Sequence, residues 1–540
     1  MSGTWRIGTS TLALFLAGAA LMLAPTRSAD AAGMTTHTWM AEEAIHFVET
    51  PELRALLLAH IDQVRTGAKF PDGGYFPGLI HGEEAHWQRF FDARLALLHA
   101  RTDCGDLADP AGPCAPEIAH LMGNVAHGTG DEVWDWLFEP NSPDLDEYYL
   151  HPDLSGFQDE GGQELVMDLV AIAHYGVQPH VIAPLPSKPD LIAAFELAGL
   201  SGVTEAQLDV GQNLFALIYD IEAGWASVHA DAVMENMPWM SANLVTAPGG
   251  VLYAARSIAG QWETLWARIL GQPHRTRISN THPADGERGI PAFGWVRTYQ
   301  PGSHRGRGGA RTRIVASLTD SLPYRVPGGP GVSNQLPPGA MILSERDTGV
   351  VLPTLASFPR AVPYSADAGE HTIGIQPGVD LQPCTWYRVD VTEALLDARN
   401  QPVEPYSWTF RTGADAEGTA CPDDPLPAAC ADGIDNDGDG LVDFPDDPGC
   451  KSPDFPTESP RCQNGIDDDG DGVLDFDGGA SANGGVAIGS PDPQCTAPFQ
   501  DTETGRHCGL GPELSLVLFL LRAMRRRSTA LWTGETSARI

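Results

Sequence analysis

Ala119-His120-Leu-Met-Gly-Asn-Val-Ala-His127-Gly-Thr-Gly-Asp131-Glu-Val-Trp-Asp135 sets a histidine and a carboxylate four residues apart. On a helix His127 and Asp131 share one face, Asp135 lies one turn further, and His120 can join them from seven residues before His127. Imidazole and carboxylate are both zinc donors, so the spacing suits two ligands to one metal. Alone, this pattern is common and is usually a surface pair. Its weight depends on what surrounds it.

Working outward, residues 34–272 repeat apolar residues at helical spacing, as in Pro51-Glu-Leu-Arg-Ala-Leu-Leu-Leu-Ala, Trp87-Gln-Arg-Phe-Phe-Asp-Ala-Arg-Leu-Ala-Leu-Leu and Val210 to Ile221. Breaks fall at Gly/Pro/Asp clusters such as Pro71-Asp72-Gly73-Gly74. The pattern changes after Pro273. A stretch over 273–309 reads as a linker, and the Gly/Arg-rich segment from Ser303 to Arg313 overlaps its end as a linker or an exposed loop. Short alternating runs follow at Thr312 to Leu318, Met341 to Leu343, Trp386 to Val391 and Tyr406 to Phe410. In the last, period two puts Tyr406, Trp408 and Phe410 on one face, which predicts an all-β sandwich over 310–413. Gln376-Pro-Gly-Val-Asp-Leu-Gln-Pro-Cys-Thr-Trp-Tyr, Asp397-Ala-Arg-Asn400 and Trp408-Thr-Phe-Arg-Thr412 resemble bacterial Ig-like domains, which implies a spacer or binding module.

The chain has 540 residues and a formal net charge of −38, which disfavours a grip on nucleic-acid phosphates. At 42% hydrophobic residues it has enough apolar surface to fold. Arg6, the apolar run from Leu12 to Leu23 and Ala29-Asp30-Ala31 predict a signal peptide over 1–31, with the mature chain starting near Ala32. The expected location is secreted or at the cell surface, where disulfides persist.

Cys430-Ala-Asp-Gly-Ile-Asp-Asn-Asp-Gly-Asp-Gly-Leu-Val-Asp443 recurs 32 residues on as Cys462-Gln-Asn-Gly-Ile-Asp-Asp-Asp-Gly-Asp-Gly-Val-Leu-Asp475. Alternating carboxylates with a glycine at the sharp turn suit a structural calcium ion. The expected ligands are Asp435, Asp437, Asp439 and Asp443, then Asp467, Asp469, Asp471 and Asp475, in a repeat region over 421–495. The repeats resemble the Asp-rich calcium repeats of extracellular spacers, and neither has the glutamate of an EF-hand at position twelve. Cysteine spacing predicts Cys430 with Cys450, Cys462 with Cys495, Cys104 with Cys114, and Cys384 with Cys421, leaving Cys508 over. Cys508-Gly-Leu-Gly, an apolar run from Leu514 to Leu521 and the arginines Arg522, Arg525, Arg526 and Arg527 resemble a C-terminal sorting tail, over 507–540, that would hold the chain at the cell surface.

Three further residues surround the opening motif: His37 in Thr36-His37, Asp72 in Phe70-Pro71-Asp72, and His86 in Ala85-His86-Trp87. Each has an ordinary reading, as a helix start, a turn or a helix rim. In this order, with His127 and Asp131, they resemble the zinc-dependent phospholipase C family, above all its glycosylphosphatidylinositol-specific phospholipase D catalytic domains. The resemblance covers 32–272. It implies a helical metal-dependent hydrolase domain with one to three zinc ions, held by His37, Asp72, His86, His127 and Asp131. It also implies a metal-activated water that attacks phosphorus in line, with Asp72 to orient it or take its proton. Where the family has another histidine this chain has Asp135. Alignment on Gly161-Gly162 puts Asp159 at a further ligand carboxylate and Ser155 where a histidine is expected; His151, Glu160 and Glu164 are alternatives. The expected whole is a multidomain chain: a mostly α-helical hydrolase domain, an all-β Ig-like sandwich and an Asp-rich, disulfide-containing repeat region. The expected substrate is a phospholipid or another membrane-surface phosphodiester. A related single-strand nuclease and a non-catalytic adhesin with a decayed metal site are the alternatives.

Overall fold

The computed structural model describes residues 33–76, 78–138, 160–178, 183–292, 314–322, 336–355, 371–416, 418–424, 428–431, 433–438, 440–453, 455–468, 470, 472–483, 485–495 and 497–500. The signal peptide, the sorting tail with Cys508, and Asp159, Ser155, His151, Asp439, Asp469 and Asp471 lie outside them. The backbone of Asp135, Glu160 and Glu164 is described, but not their side chains. The chain divides into two compact units, 1–422 and 423–540.

The first unit opens with helices α1 (Met34–Phe47), α2 (Pro51–Ala59), α3 (Ile61–Gly67), α4 (Gly82–Ala85), α5 (Gln88–Ala100) and α6 (Ala115–Val133). They are followed by α7 (Glu160–His174), α8 (Lys188–Ala198), α9 (Glu205–Asn236), α10 (Pro238–Asn243) and α11 (Val251–Ile269). Local chemistry sets several ends. Ser187 caps α8, which ends at Gly199 with φ 100°. Thr204 and Gln207 form a capping box on α9, satisfying two donors the helix cannot satisfy itself. At α2, Glu263 from α11 accepts the amides of Glu49 and Thr50 at 2.7 and 2.9 Å.

α6 is the central helix, buried along its length except at Pro116. Its apolar residues Leu121, Met122 and Val125 share one core with Met40, Phe90, Phe91 and Trp262. The Trp262 indole N–H donates to the Met122 carbonyl at 2.7 Å, so the largest core side chain leaves no polar atom unpaired. A polar stripe also runs along α6. Glu117, His120, Asn124, His127 and Asp131 alternate by three and four residues, and all are buried.

Seven strands follow: β1 (Ile278–His282), β2 (Ile314–Leu318), β3 (Met341–Glu345), β4 (Thr354–Leu355), β5 (Thr372–Pro377), β6 (Trp386–Val391) and β7 (Tyr406–Arg411). They form two antiparallel sheets, β1-β2-β5-β4 and β3-β6-β7. Ile314, Leu343, Ile373, Val389, Trp408 and Phe410 fill the core they share. Two differences from the sequence expectation stand out. β1 falls inside the stretch read as a linker, because Ile278-Ser-Asn-Thr-His has no alternating pattern and gains its strand character by pairing with β2. Tyr406 is exposed although Trp408 and Phe410 are buried, since it starts the strand beyond the edge of the core.

The sheets pack on the helices. The backbone amide of His371 and the Thr372 hydroxyl donate to Glu132 of α6, both at 3.0 Å. The His371 ring reaches Gln88 at 3.0 Å. Arg268 of α11 pairs with Asp92 at 2.5 Å and Asp320 at 3.5 Å. The β portion is therefore fixed against the helix that carries His127 and Asp131.

Two buried histidines give a pH dependence. Burial pushes both His81 and His282 down to about 4. Folded, they stay neutral; unfolded, they take up protons near pH 6.5. Their contribution to stability is thus complete above about pH 6.5 and is lost as pH drops toward 4, by on the order of 3 kcal/mol per group. Urea unfolding between pH 7 and 4.5 reads the slope. His81→Leu is expected to flatten it, and an unchanged slope would exclude His81 as its source.

In the second unit the expected disulfides Cys430–Cys450 and Cys462–Cys495 are formed, as Cys104–Cys114 and Cys384–Cys421 are in the first. The two repeats share one backbone plan. Phe444 N–H donates to Cys430 O as Phe476 N–H does to Cys462 O, and Asp447 to Asp443 as Asp492 to Asp475. No helix among the described residues is long and apolar enough to cross a membrane.

Candidate metal centre

Five of the predicted residues converge from four places in the chain. His37 comes from the first turn of α1, and Asp72 opens a single 3-10 turn after Phe70-Pro71. His86 ends α4, and His127 and Asp131 lie one turn apart on α6. Asp131 is the hub. Its Oδ1 is 2.9 Å from His37 Nε2, and its Oδ2 is 3.4 Å from both His86 Nε2 and His127 Nε2. Asp72 Oδ1 sits 3.3 Å from His127 Nε2 and 3.6 Å from His86 Nε2.

The outer nitrogens of two rings are held by backbone carbonyls: His127 Nδ1 by Ala68 O at 2.8 Å, and His86 Nδ1 by Gly82 O at 2.7 Å. A carbonyl can only accept, so each Nδ1 carries a proton and each Nε2 is the ring atom turned inward that a cation would take. Those two Nε2 atoms are 3.0 Å apart. Two imidazole nitrogens at that distance, ringed by two carboxylates, suit a shared cation, and a carbonyl-anchored imidazole is a common outer support of a zinc ligand. The donor atoms of His37, His127 and Asp131 lie within 4.8 Å of one another, as do those of Asp72, His86 and His127. The donor set therefore fits zinc, with His127 common to both groups.

Electrostatics follow the same geometry. Burial pushes the Asp72 carboxyl up, but His127, His86 and His37 outweigh it and hold the group well below the carboxylate range. Burial pushes His86 down, and Asp72 and Asp131 more than reverse this, raising it to about 9; without a metal its Nε2 therefore carries a proton too, which a bound cation would displace. His127 is lowered, by burial and then by neighbouring His37.

The glycines of His-Gly-Thr-Gly-Asp serve close approach. A side-chain carbon at Gly130 would stand 2.9 Å from His37 Nδ1, and one at Gly128 would overlap the His86 carbonyl oxygen. His37 and His127 stack with centroids 3.8 Å apart in the space this leaves. At the rim, the Tyr75 ring lies 5.3 Å from His86 and its hydroxyl donates to Glu83 at 2.9 Å.

His120 does not join the cluster. It is buried between Phe70 and Arg94, whose guanidinium lies 3.0 Å from its Nδ1. The backbone of Asp135 belongs to a π-helical turn, Trp134–Phe138. Asp168, on α7, was missed by the sequence reading. It is buried and accepts from the backbone of Thr35 and Thr36, beside His37. A carboxylate four residues after Glu164, within the otherwise apolar run from Leu165 to Ala173, was the available signal.

In the repeats, Asp435 and Asp437 meet Glu458, which is 1% exposed, with donor atoms within 4.8 Å. The Asp443 and Asp475 carboxylates instead accept the amides of Gly433 and Gly465, at 2.8 and 2.7 Å. Glu458 was also missed. Its signal was Thr457-Glu458 after Cys450, repeated at the same distance as Thr502-Glu503 after Cys495.

No family model matches the chain, and no curated protein matches it. Among solved structures it is similar to domains 1–6 of surface layer protein SbsC, at 11% identity and a TM-score of 0.17, covering 69% of this chain and 46% of that one. A crystal structure of the N-terminal part of the bacterial S-layer protein SbsC matches at 9% identity and a TM-score of 0.17, over 70% of this chain and 81% of that one. The chain thus spans about half the length of the first of these, and likeness at this TM-score carries no argument about fold or function.

Proposed function

We propose that the helical portion is a zinc-dependent phosphodiesterase acting on phospholipids or lipid-linked phosphodiesters outside the cytoplasm. The observation that carries this reading is the convergence of His37, His86 and His127 on Asp131 and Asp72, with the Nε2 atoms of His86 and His127 turned inward. Bound zinc would lower the pKa of a water and polarise a phosphoryl oxygen. The chain's own residues do the rest. Asp131 ties the three imidazoles into one rigid set. Asp72, kept ionised by its histidine neighbours, is placed to accept a hydrogen bond from an attacking water and orient it. Tyr75 and Glu83 would border the substrate on the His86 side. The net charge of −38 favours a lipid phosphodiester over a nucleic acid.

The test uses the full chain, loaded with zinc, on phosphatidylcholine vesicles and on single-stranded DNA. Release of phosphocholine marks C-type cleavage and release of phosphatidic acid marks D-type cleavage. His127→Ala is expected to abolish either. Cleavage of DNA alone would move the assignment to a nuclease, and no cleavage of any substrate would end the enzymatic reading.

For the repeats we infer a structural calcium ion held by Asp435, Asp437 and Glu458, a set of hard oxygen donors. Calcorimetric titration of the full chain with Ca2+ is expected to lose a binding event, or to weaken it at least about tenfold, in Glu458→Gln, as expected when a charged ligand is neutralised. Unchanged binding would remove Glu458 from the site.

A further inference from the structure

We propose that Asp168 is a positioning residue that fixes His37 by capping helix α1 from another helix; this rests on the metal-centre reading above. The first turn of any helix leaves backbone N–H groups unsatisfied, and the residue before it normally supplies the acceptor. Here that residue is Gly33, which has no side chain to offer, and the first turn contains no acidic residue. Asp168 of α7 takes the role from 132 residues away. Its Oδ2 accepts Thr35 N–H at 3.0 Å, and its Oδ1 accepts Thr36 N–H and the Thr36 hydroxyl, each at 2.8 Å. These are the second and third amides of α1, the ones a local capping residue would take.

His37 follows directly and reaches Asp131 from that same turn. A carboxylate on a helix N-terminus is also favoured by the helix dipole. The environment keeps Asp168 in place. Glu222 of α9 accepts the Thr35 hydroxyl at 2.9 Å, and burial together with Asp168 pushes Glu222 well above the carboxylate range. Lys69, fully buried, lies over the Tyr219 ring at 4.1 Å; burial lowers it to about 7, so it adds a partial positive field to the pair. Thus α7 and α9, neither of which supplies one of the five converging ligands, set where the His37 ring stands.

Two measurements on the full chain test this. In the metal-free protein, hydrogen–deuterium exchange at the Thr35 and Thr36 amides is slow in the parent and at least about tenfold faster in Asp168→Asn, whose amide turns a donor toward one of them. In the second, Co2+ stands in for zinc and its visible absorption reports ligand geometry. Asp168→Asn is expected to weaken Co2+ binding about 10–100-fold and to shift the spectrum toward that of His37→Ala. The double variant should bind no worse than His37→Ala alone, because both changes act through one ring. Thr36→Val, a milder change, should move both readouts in the same direction. A parent spectrum and affinity in Asp168→Asn would overturn the proposal, as would an equal loss in the His37→Ala background. If the parent binds no Co2+, the metal reading fails, and amide exchange alone decides the clamp: fast exchange in the parent overturns it, slow exchange lost in the variant supports it.

Discussion

Asp131→Ala is expected to strip the full chain of zinc, with affinity lowered by more than about a hundredfold, beyond the ~10–100-fold typical of losing a supporting residue. Asp131 lies within 3.4 Å of all three imidazoles. Without it, His37 loses its carboxylate partner. His86 and His127 then keep their Nε2 atoms 3.0 Å apart, with Asp72 alone of the two central carboxylates beside them. Asp131→Asn keeps the shape and half the acceptors, so it should fall between parent and alanine. Elemental mass spectrometry after gel filtration gives zinc per molecule. Parent-level zinc in Asp131→Ala would show that the hub geometry does not describe the metal site.

Gly128→Ala should cost far more in stability than a methyl added at an open helix position. The new carbon would overlap the His86 carbonyl oxygen, and a backbone carbonyl cannot turn aside as a side chain can. Gly123 meets Val64 O, and Gly67 meets His120 O, in the same way, so α3 and α6 touch backbone to backbone. Overpacking of this kind costs about 1–3 kcal/mol, and the rigid partner places Gly128→Ala at the upper end. In a compact unit of this size that is a fall in Tm of roughly 3–5 °C. Zinc affinity should fall as well, because His86 moves with its carbonyl. Gly224 of α9 has nothing within 4 Å of an added carbon, so Gly224→Ala should stabilise by roughly 0.5–1 kcal/mol through helix propensity. Equal Tm values for the two variants would remove the close-approach account of the motif glycines.

Both predictions start from residues that the sequence pointed to, and the sequence carried them for local reasons. Helical periodicity is written within a few turns, so the helical character of 34–272 was legible, as were most of the strands. Cysteine pairing was legible because each pair closes a short loop. His37, Asp72, His86, His127 and Asp131 could be nominated because their residue types and order persist along the chain. The duplicated Asp-rich segments could be recognised because a repeat is a property of sequence itself.

What depended on separate segments meeting was decided only by the tertiary structure. Ile278–His282 is a strand because β2 supplies its hydrogen bonds, which its own pattern does not announce. The cap on α1 comes from Asp168, and the acidic group beside Asp435 and Asp437 comes from Glu458, each brought in by the fold from outside the motif it completes. His120 shares the α6 stripe with His127 yet pairs with Arg94, because the neighbouring helix differs from one turn of α6 to the next. A single sequence records the donors and acceptors each segment carries. Which of them come within 3 Å of one another follows from packing, since burial forces every polar group to find a partner from whichever element lies against it.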